Sequence, residues 1–315
     1  MRLGFAVKVL GADLKSNDSR RWQSEPHLRM SLVYLRAIFE YLRENGIRMY
    51  RMSSDLAPYL THPDLPQFHR QIEECTSELA EIGSLAREYG IRLSFHPSQY
   101  IVLNSPDEQI STAAEKDLHA EAAILDAMGL DPEAVVVTHV GGVYVDRSSA
   151  MERFVHGYSR LSDTARSRLV LENDESRYSI SDVLQISRST GIRVVFDYLH
   201  HMNNNPEAIA LVDALRASLH TWPSDVTPKI HFSSPRTEMR EIRKKDASTG
   251  RRRSEFLPPL VSQHSDYINP FEFAVFMREA AGLRDFDVML EAKAKDLALI
   301  RLREQLKPLA WIFER

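Results

Sequence analysis

Six short apolar segments of this 315-residue chain each end in a side chain able to bind a divalent cation. Ser-Phe-His ends on His96, Val-Thr-His on His139 and Val-Leu-Glu on Glu172. Val-Phe-Asp ends on Asp197 with His200 three residues later, Lys-Ile-His on His231, and Met-Leu-Glu on Glu291. Imidazole and carboxylate are the donors that suit zinc, manganese or iron. A lone histidine or acid at a strand end is more often a hydrogen-bonded structural group. Six at the same place in successive segments point instead to one multinuclear centre, which could activate water as a nucleophile.

Lys229 lies two residues before His231, so on a strand both side chains face the same way. A lysine beside divalent cations is costly unless its pKa falls or its amine is carbamylated into an anionic bridging ligand. Pairing with a nearby carboxylate is the plainer alternative, and both stay open. His62, in Leu-Thr-His-Pro, and His264, in the loop after the seventh apolar segment, are further candidate ligands. His27, His119, His156 and His220 fall in or beside helix-patterned stretches and are expected at the surface. His69 is a weak candidate, and His201 cannot share the direction of its neighbour His200.

Eight apolar, β-branched runs position these groups: Leu3–Val9, Ile47–Met52, Ile91–Phe95, Ala134–Thr138, Arg168–Leu171, Arg193–Phe196, Lys229–Phe232 and Phe286–Leu290. Stretches of helical period separate them, among them Leu28 to Leu42, Ile72 to Ala86 and Ala113 to Met128. Gly46, Gly90, Gly129 and Gly191 stand where helices should end before the next strand. The repeat predicts an α/β fold, a (β/α)8 TIM barrel over residues 1–315 as one domain, with its site at the C-terminal ends of the strands. A doubly wound open sheet is the rival, but Gly4 and Gly11 make no phosphate-binding loop after the first strand, and no nucleotide cofactor is expected.

A composition of 43% hydrophobic and 27% charged residues excludes disorder and fibrous repeats. No apolar run reaches the length of a membrane span. Lys8 interrupts the apolar stretch Leu3 to Leu10, so no signal peptide is expected. Cys75 alone cannot form an internal disulfide, and its helical context predicts a buried inert thiol in a reducing cytoplasm. The net charge of −4 hides an asymmetry: Arg236 to Arg253 carries +5, leaving −9 on the rest. This basic segment opens an insertion, 236–266, within the irregular stretch Ser234 to Asp266. It reads either as a phosphate-contacting loop or as a solvated insertion.

With these residues in place, the chain resembles the UV damage endonuclease family, metal-dependent DNA repair barrels related in fold to endonuclease IV. The likeness runs from about Arg2 to Glu304. It rests on Arg-Met-Ser-Ser, Thr-His-Pro, Ser-Phe-His-Pro-Ser-Gln-Tyr, His-Val-Gly-Gly, Leu-Glu-Asn-Asp-Glu, Phe-Asp-Tyr-Leu-His-His, Pro-Lys-Ile-His-Phe-Ser-Ser and Glu-Ala-Lys-Ala-Lys-Asp. Endonuclease IV itself is a poorer match: it lacks a counterpart of His139 and has Asp-x-His where this chain has His264-Ser-Asp266.

The resemblance implies metal ligands at His62, His96, His139, Glu172, Asp197, His200, His231, His264 and Glu291, with Lys229 as the modified lysine. It implies two or three divalent cations, manganese first among magnesium, zinc and cobalt. Glu172 and Glu291 would hold metals and orient the attacking water. The expected substrate is damaged double-stranded DNA, cut immediately 5′ to UV photoproducts to leave a 3′-hydroxyl and a 5′-phosphate. Gln99 and Tyr100 match the family's lesion-probing pair. Phe5 stands where some members have a probing tyrosine, a departure that puts this half of the probe in question. Arg243, Lys244, Lys245, Arg251, Arg252 and Arg253 would contact DNA phosphates. A cytoplasmic monomer is the default. Two other readings stay open: a metal-dependent sugar isomerase on a related barrel, and a DNA lesion sensor that does not cut.

Overall fold

The structure is a computed structural model that describes residues 1–245, 250 and 252–308, without the side chain of Lys245. Its strands are β1 (Leu3–Ala6), β2 (Met49–Arg51), β3 (Arg92–Phe95), β4 (Val135–His139), β5 (Leu169–Glu172), β6 (Arg193–Val195), β7 (Lys229–Phe232), β8 (Arg240–Lys245), β9 (Arg252–Leu257) and β10 (Asp287–Leu290). All but β8 and β9 form one parallel sheet in the order β6-β5-β4-β3-β2-β1-β10-β7. Its two ends meet. Asp197 and His231 form a parallel bridge, and the His231 N–H donates to Phe196 O at 2.9 Å. The rival open sheet is thereby excluded, and the eight apolar runs correspond to the eight strands of a nearly closed barrel.

The barrel strands are buried on both faces because helices wrap the outside, which is why they read as continuous apolar runs. Side chains alternate, and every second residue faces the barrel axis. These inward residues stack in layers along the axis. Lowest lie Arg92, Arg193 and Asp287; above them come Ser94, Val137, Val170, Val195, Lys229 and Met289. At the C-terminal mouth stand His96, His139, Glu172, Asp197, His231 and Glu291. The donor-bearing residues gather at this mouth because each ends, or immediately follows, its strand: His139 is in register with Glu172, and Glu291 lies two residues beyond Met289, the partner of His231.

A buried ionic plug closes the opposite end. Asp287 Oδ2 accepts from Arg92 Nη1 at 2.9 Å and from Arg2 Nε at 2.7 Å. The Arg193 and Arg92 guanidiniums lie 4.8 and 5.7 Å from the Trp222 ring. Such a plug fixes the lower rim without competing for the donors at the mouth.

Outside the barrel, helices such as Leu28–Glu44 and Glu108–Ala127 bury one apolar stripe each. The expected helix after Ile72 is broken at Cys75 into Gln71–Glu74 and Thr76–Glu88. Cys75 itself is buried, as its context predicts. The four predicted terminal glycines all have left-handed φ, from 61 to 76°. Gly83 matters for a different reason: a Cβ there would lie 1.7 Å from Met128 O. Gly83→Ala should therefore destabilise the fold by about 1–3 kcal/mol, read as a lowered urea midpoint. An unchanged midpoint would mean that this helix is free to shift outward.

The stretch Ser234 to Asp266 is not irregular throughout. β8 and β9 pair antiparallel from Arg240↔Leu257 to Lys245↔Arg252, forming a two-stranded ribbon. Its residues are charged on both faces, so they lack the apolar alternation that announces a strand. Among the described residues, no helix is long and apolar enough to cross a membrane.

Candidate metal centre

Glu172 is the hub of the mouth. Its Oε1 lies 2.8 Å from His231 Nδ1 and 3.6 Å from His200 Nδ1, while Oε2 lies 3.0 Å from His96 Nε2 and 3.6 Å from His139 Nε2. Glu291 is held from the far side: its Oε1 accepts from Arg51 Nη1 and lies 3.4 Å from His231 Nδ1. Asp197 Oδ1 accepts from the His200 N–H at 2.7 Å, and His200 Nδ1 sits 2.9 Å from Asn173 O. That contact fixes which ring nitrogen of His200 stays available, as ligand histidines require.

Three overlapping sets of residues bring donor atoms within 4.8 Å of one another: His96, His231 and Glu291; His96, His139 and Glu172; and Glu172, Asp197, His231 and Glu291. Sharing of residues between sets is what adjacent cation sites require. Asp197 Oδ2, His231 Nε2 and His139 Nδ1 are buried with no hydrogen-bond partner. Buried polar atoms are seldom left so, and oxygen and imidazole nitrogen are the donors that divalent cations take. The residues fit a metal cluster.

The electrostatics agree. Burial holds His96 and His231 well below the ordinary imidazole pKa, leaving neutral rings with lone pairs to donate. His139 is lowered too, by burial and by His200. Burial pulls His200 down, but Asp197 and Glu291 outweigh it and leave the ring raised. Glu172 is pushed well above the carboxylate range by burial, then by Glu291 and Asp197. Burial acts the same way on Glu291, yet Arg51 and the nearby histidines prevail and hold it well below. Three buried acids in one layer, with neutral histidines between them, form a site whose negative charge cations would neutralise.

Lys229 is 0% exposed, and its Nζ has no hydrogen-bond partner. Burial, then Arg92 and Arg51, depresses its pKa well below the usual value. Among the described residues no carboxylate lies within 4 Å of the amine, so the carboxylate pair allowed by the sequence is not formed.

The remaining candidates divide. His264 reaches the rim, with Nε2 at 3.8 Å from Glu291 Oε2 and its ring 6.2 Å from that of His200. His62 is exposed, accepts from the Asp64 N–H at 3.2 Å, and lies outside the three donor sets. Gln99 and Tyr100 project from the loop after β3, and Tyr100 is 79% exposed rather than packed beneath that loop. Phe5 requires a correction as a probe. It sits at an outward position of β1, fully buried and edge-on to Tyr50 at 5.5 Å, so it belongs to the helix-facing core. Arg243, Lys244, Arg252 and Arg253 are exposed on the ribbon, and Lys244 Nζ lies 2.8 Å from Glu255 Oε2. Arg251 and the Lys245 side chain lie outside the described residues.

Two supporting residues escape a search for ligand types. Arg51 ends β2 as the other donors end theirs, and its place in Arg-Met-Ser-Ser was the available signal. Asn173, directly after Glu172, exchanges hydrogen bonds with the Asp197 main chain at 2.9 and 3.2 Å and carries the carbonyl that meets His200.

Comparison with known proteins gives the chain its family. Residues 28–313 match the family model described as UV-endonuclease UvdE. A Bacillus velezensis protein named UV DNA damage endonuclease is 36% identical over 268 residues, 84% of this chain and 77% of its own. The crystal structure titled SacUVDE superposes with a TM-score of 0.80 at 28% identity, covering 98% of this chain and 99% of that one. A D-tagatose 3-epimerase-like protein, at TM-score 0.58 and 13% identity over 100% of this chain and 99% of its own, shares the barrel fold alone. The extent of the family match and the level of identity lead to one assignment: the chain belongs to the UV-endonuclease UvdE family.

Proposed function

We propose that this protein nicks damaged duplex DNA immediately 5′ to UV photoproducts, leaving a 3′-hydroxyl and a 5′-phosphate. The observation that carries this reading is the convergence of strand-end imidazoles and carboxylates into overlapping donor sets at the mouth of a UvdE-family barrel. His96, His139, Glu172, Asp197, His231 and Glu291 would hold two or three divalent ions, manganese first. His200 and His264 would complete the rim, and His62 would enter from its loop. When bound, the cations supply Lewis acidity that activates water and neutralises charge on the phosphoryl group.

The chain's own groups do the rest. Arg51 keeps Glu291 ionised, while Glu172, buried between His96 and His231, holds the reacting water's direction. Lys229, its pKa depressed by burial in the layer below, is an amine able to take up carbon dioxide as a carbamate facing the cluster. Tyr100 and Gln99 stand clear of the surface, an aromatic face and an amide suited to fill the gap in a weakened base stack. Arg243, Lys244, Lys245, Arg251, Arg252 and Arg253 would contact phosphates from the ribbon, which follows the seventh barrel strand and so emerges at the same mouth. The salt dependence of DNA binding reads those contacts. We place this activity in the cytoplasm, on the chromosome, in a monomer.

The decisive experiment is nicking of supercoiled plasmid, irradiated or not, by protein loaded with manganese, magnesium or zinc. Irradiation-dependent conversion to the open circle, lost on chelation and restored by metal, is the expected outcome. No incision with any of these cations would overturn the endonuclease reading.

A further inference from the structure

A cavity of about 360 Å³ opens at the mouth beside the cluster. Its walls include His200, His264 and Glu291 together with Glu175, Lys293 and Lys295. Neither lysine appears among the groups already given a task, although both lie in the Glu-Ala-Lys-Ala-Lys-Asp segment after β10.

The charges on this side of the mouth are unequally committed. Arg51 is spent on Glu291. Lys229 is sealed beneath the cluster. Lys295 is half-buried on the cavity wall, and among the described residues it has no carboxylate within 4 Å. A cation held at a cavity wall without a partner, beside a centre built for cations, suits an anionic ligand.

The backbone at Lys295 gives an independent indication. Its φ is +52°, left-handed for a lysine that begins the helix Lys295–Leu306. The segment is clamped on both sides. The Lys293 and Ala294 N–H groups donate to Ser265 O and Asp266 O at 3.0 and 2.9 Å. On the other side, the Asp296 carboxylate accepts from the Leu10 and Gly11 N–H groups at 2.7 and 2.9 Å and from the Tyr41 hydroxyl at 2.7 Å. Strained conformations persist where their surroundings over-determine them, and they concentrate at functional sites.

We propose that Lys295 is a catalytic residue: its ammonium binds a non-bridging oxygen of the phosphodiester being cut, from the wall formed with His200, His264 and Glu291. The contact is electrostatic and opposes the negative charge that the phosphoryl oxygens carry in the transition state. Lys293, exposed two residues earlier, is a neighbour and takes no part in it. The proposal rests on the endonuclease reading.

The test compares wild type, Lys295→Met and Lys295→Arg as manganese-loaded full-length protein on a UV-irradiated oligonucleotide duplex. Single-turnover nicking, metal content, thermal midpoint and the salt dependence of binding are measured together. The expected result for Lys295→Met is full metal content, an unchanged midpoint and nicking slower by about 100-fold. The slope of log affinity against log salt should shrink by about 1, the share of a single neutralised phosphate. Lys295→Arg should keep most of the rate.

A Lys295→Met rate within about twofold of wild type overturns the proposal. So does a Lys295→Arg enzyme as slow as the Met variant with its metal intact. Where Lys295→Met folds poorly or loses metal, the Arg variant decides, retained rate supporting the charge and lost rate refuting it. If wild type itself fails to nick, the endonuclease reading falls instead, and the binding slope still decides whether Lys295 meets a phosphate.

Discussion

Glu172→Gln should slow nicking by about 10³-fold or more while leaving duplex binding close to wild type. The substitution keeps the shape of the side chain and removes its charge. Glu172 belongs to two of the three donor sets and is flanked by His231 at 2.8 Å and His96 at 3.0 Å. An amide there presents N–H groups where a cation needs an oxygen. The variant should therefore also bind fewer metal ions per chain, as elemental analysis of dialysed protein would read. Binding should persist because the exposed cations of the ribbon and the Gln99–Tyr100 loop are untouched. A variant that retains both its metals and its rate would remove Glu172 from the centre.

Asp287→Ala should cost about 3–5 kcal/mol of stability. It leaves the Arg92 guanidinium buried without its carboxylate, and Arg92 is 4% exposed. The same carboxylate also binds Arg2 through its main-chain N–H at 2.6 Å and its Nε at 2.7 Å. Total stabilities of proteins are about 5–15 kcal/mol, so a loss of this size should appear as a large drop in the urea midpoint. The donors at the mouth are separated from Asp287 by the layer holding Met289 and Lys229, so any variant that stays folded should keep its metal content. A midpoint shift worth less than about 1 kcal/mol would mean that water reaches Arg92 and the plug is not dry.

The barrel was legible because parallel strands covered on both faces leave uninterrupted apolar runs, and six of the eight runs lead into a polar group that has no place in a core. His96, His139, Glu172, Asp197, His231 and Glu291 are legible as one group for the same reason, since strand ends in a barrel share a rim. Non-periodic backbone leaves a weaker trace in the sequence. His62 lies in a loop whose path the sequence leaves open, and it stands apart from the donor sets. The ribbon Arg240–Lys245 and Arg252–Leu257 has charges where a strand normally shows an apolar face, so its pairing was invisible. The likeness alone suggests Phe5 as a probe, and strand alternation opposes it: with Gly4 and Ala6 facing the axis, Phe5 faces the helices. Arg51 is not a ligand type, and only its place at a strand end marks it as a neighbour of one.

The bridge between Asp197 and His231 has a mechanical side. The ring of strands is joined at that point by a single isolated bridge, where every other neighbouring pair has two or more register pairs, so breathing of the barrel is cheapest there. Both residues of the joint belong to the shared donor set with Glu172 and Glu291. An ion held by that set would act as a rivet across this joint, tying the ring's closure by mass action to the supply of metal.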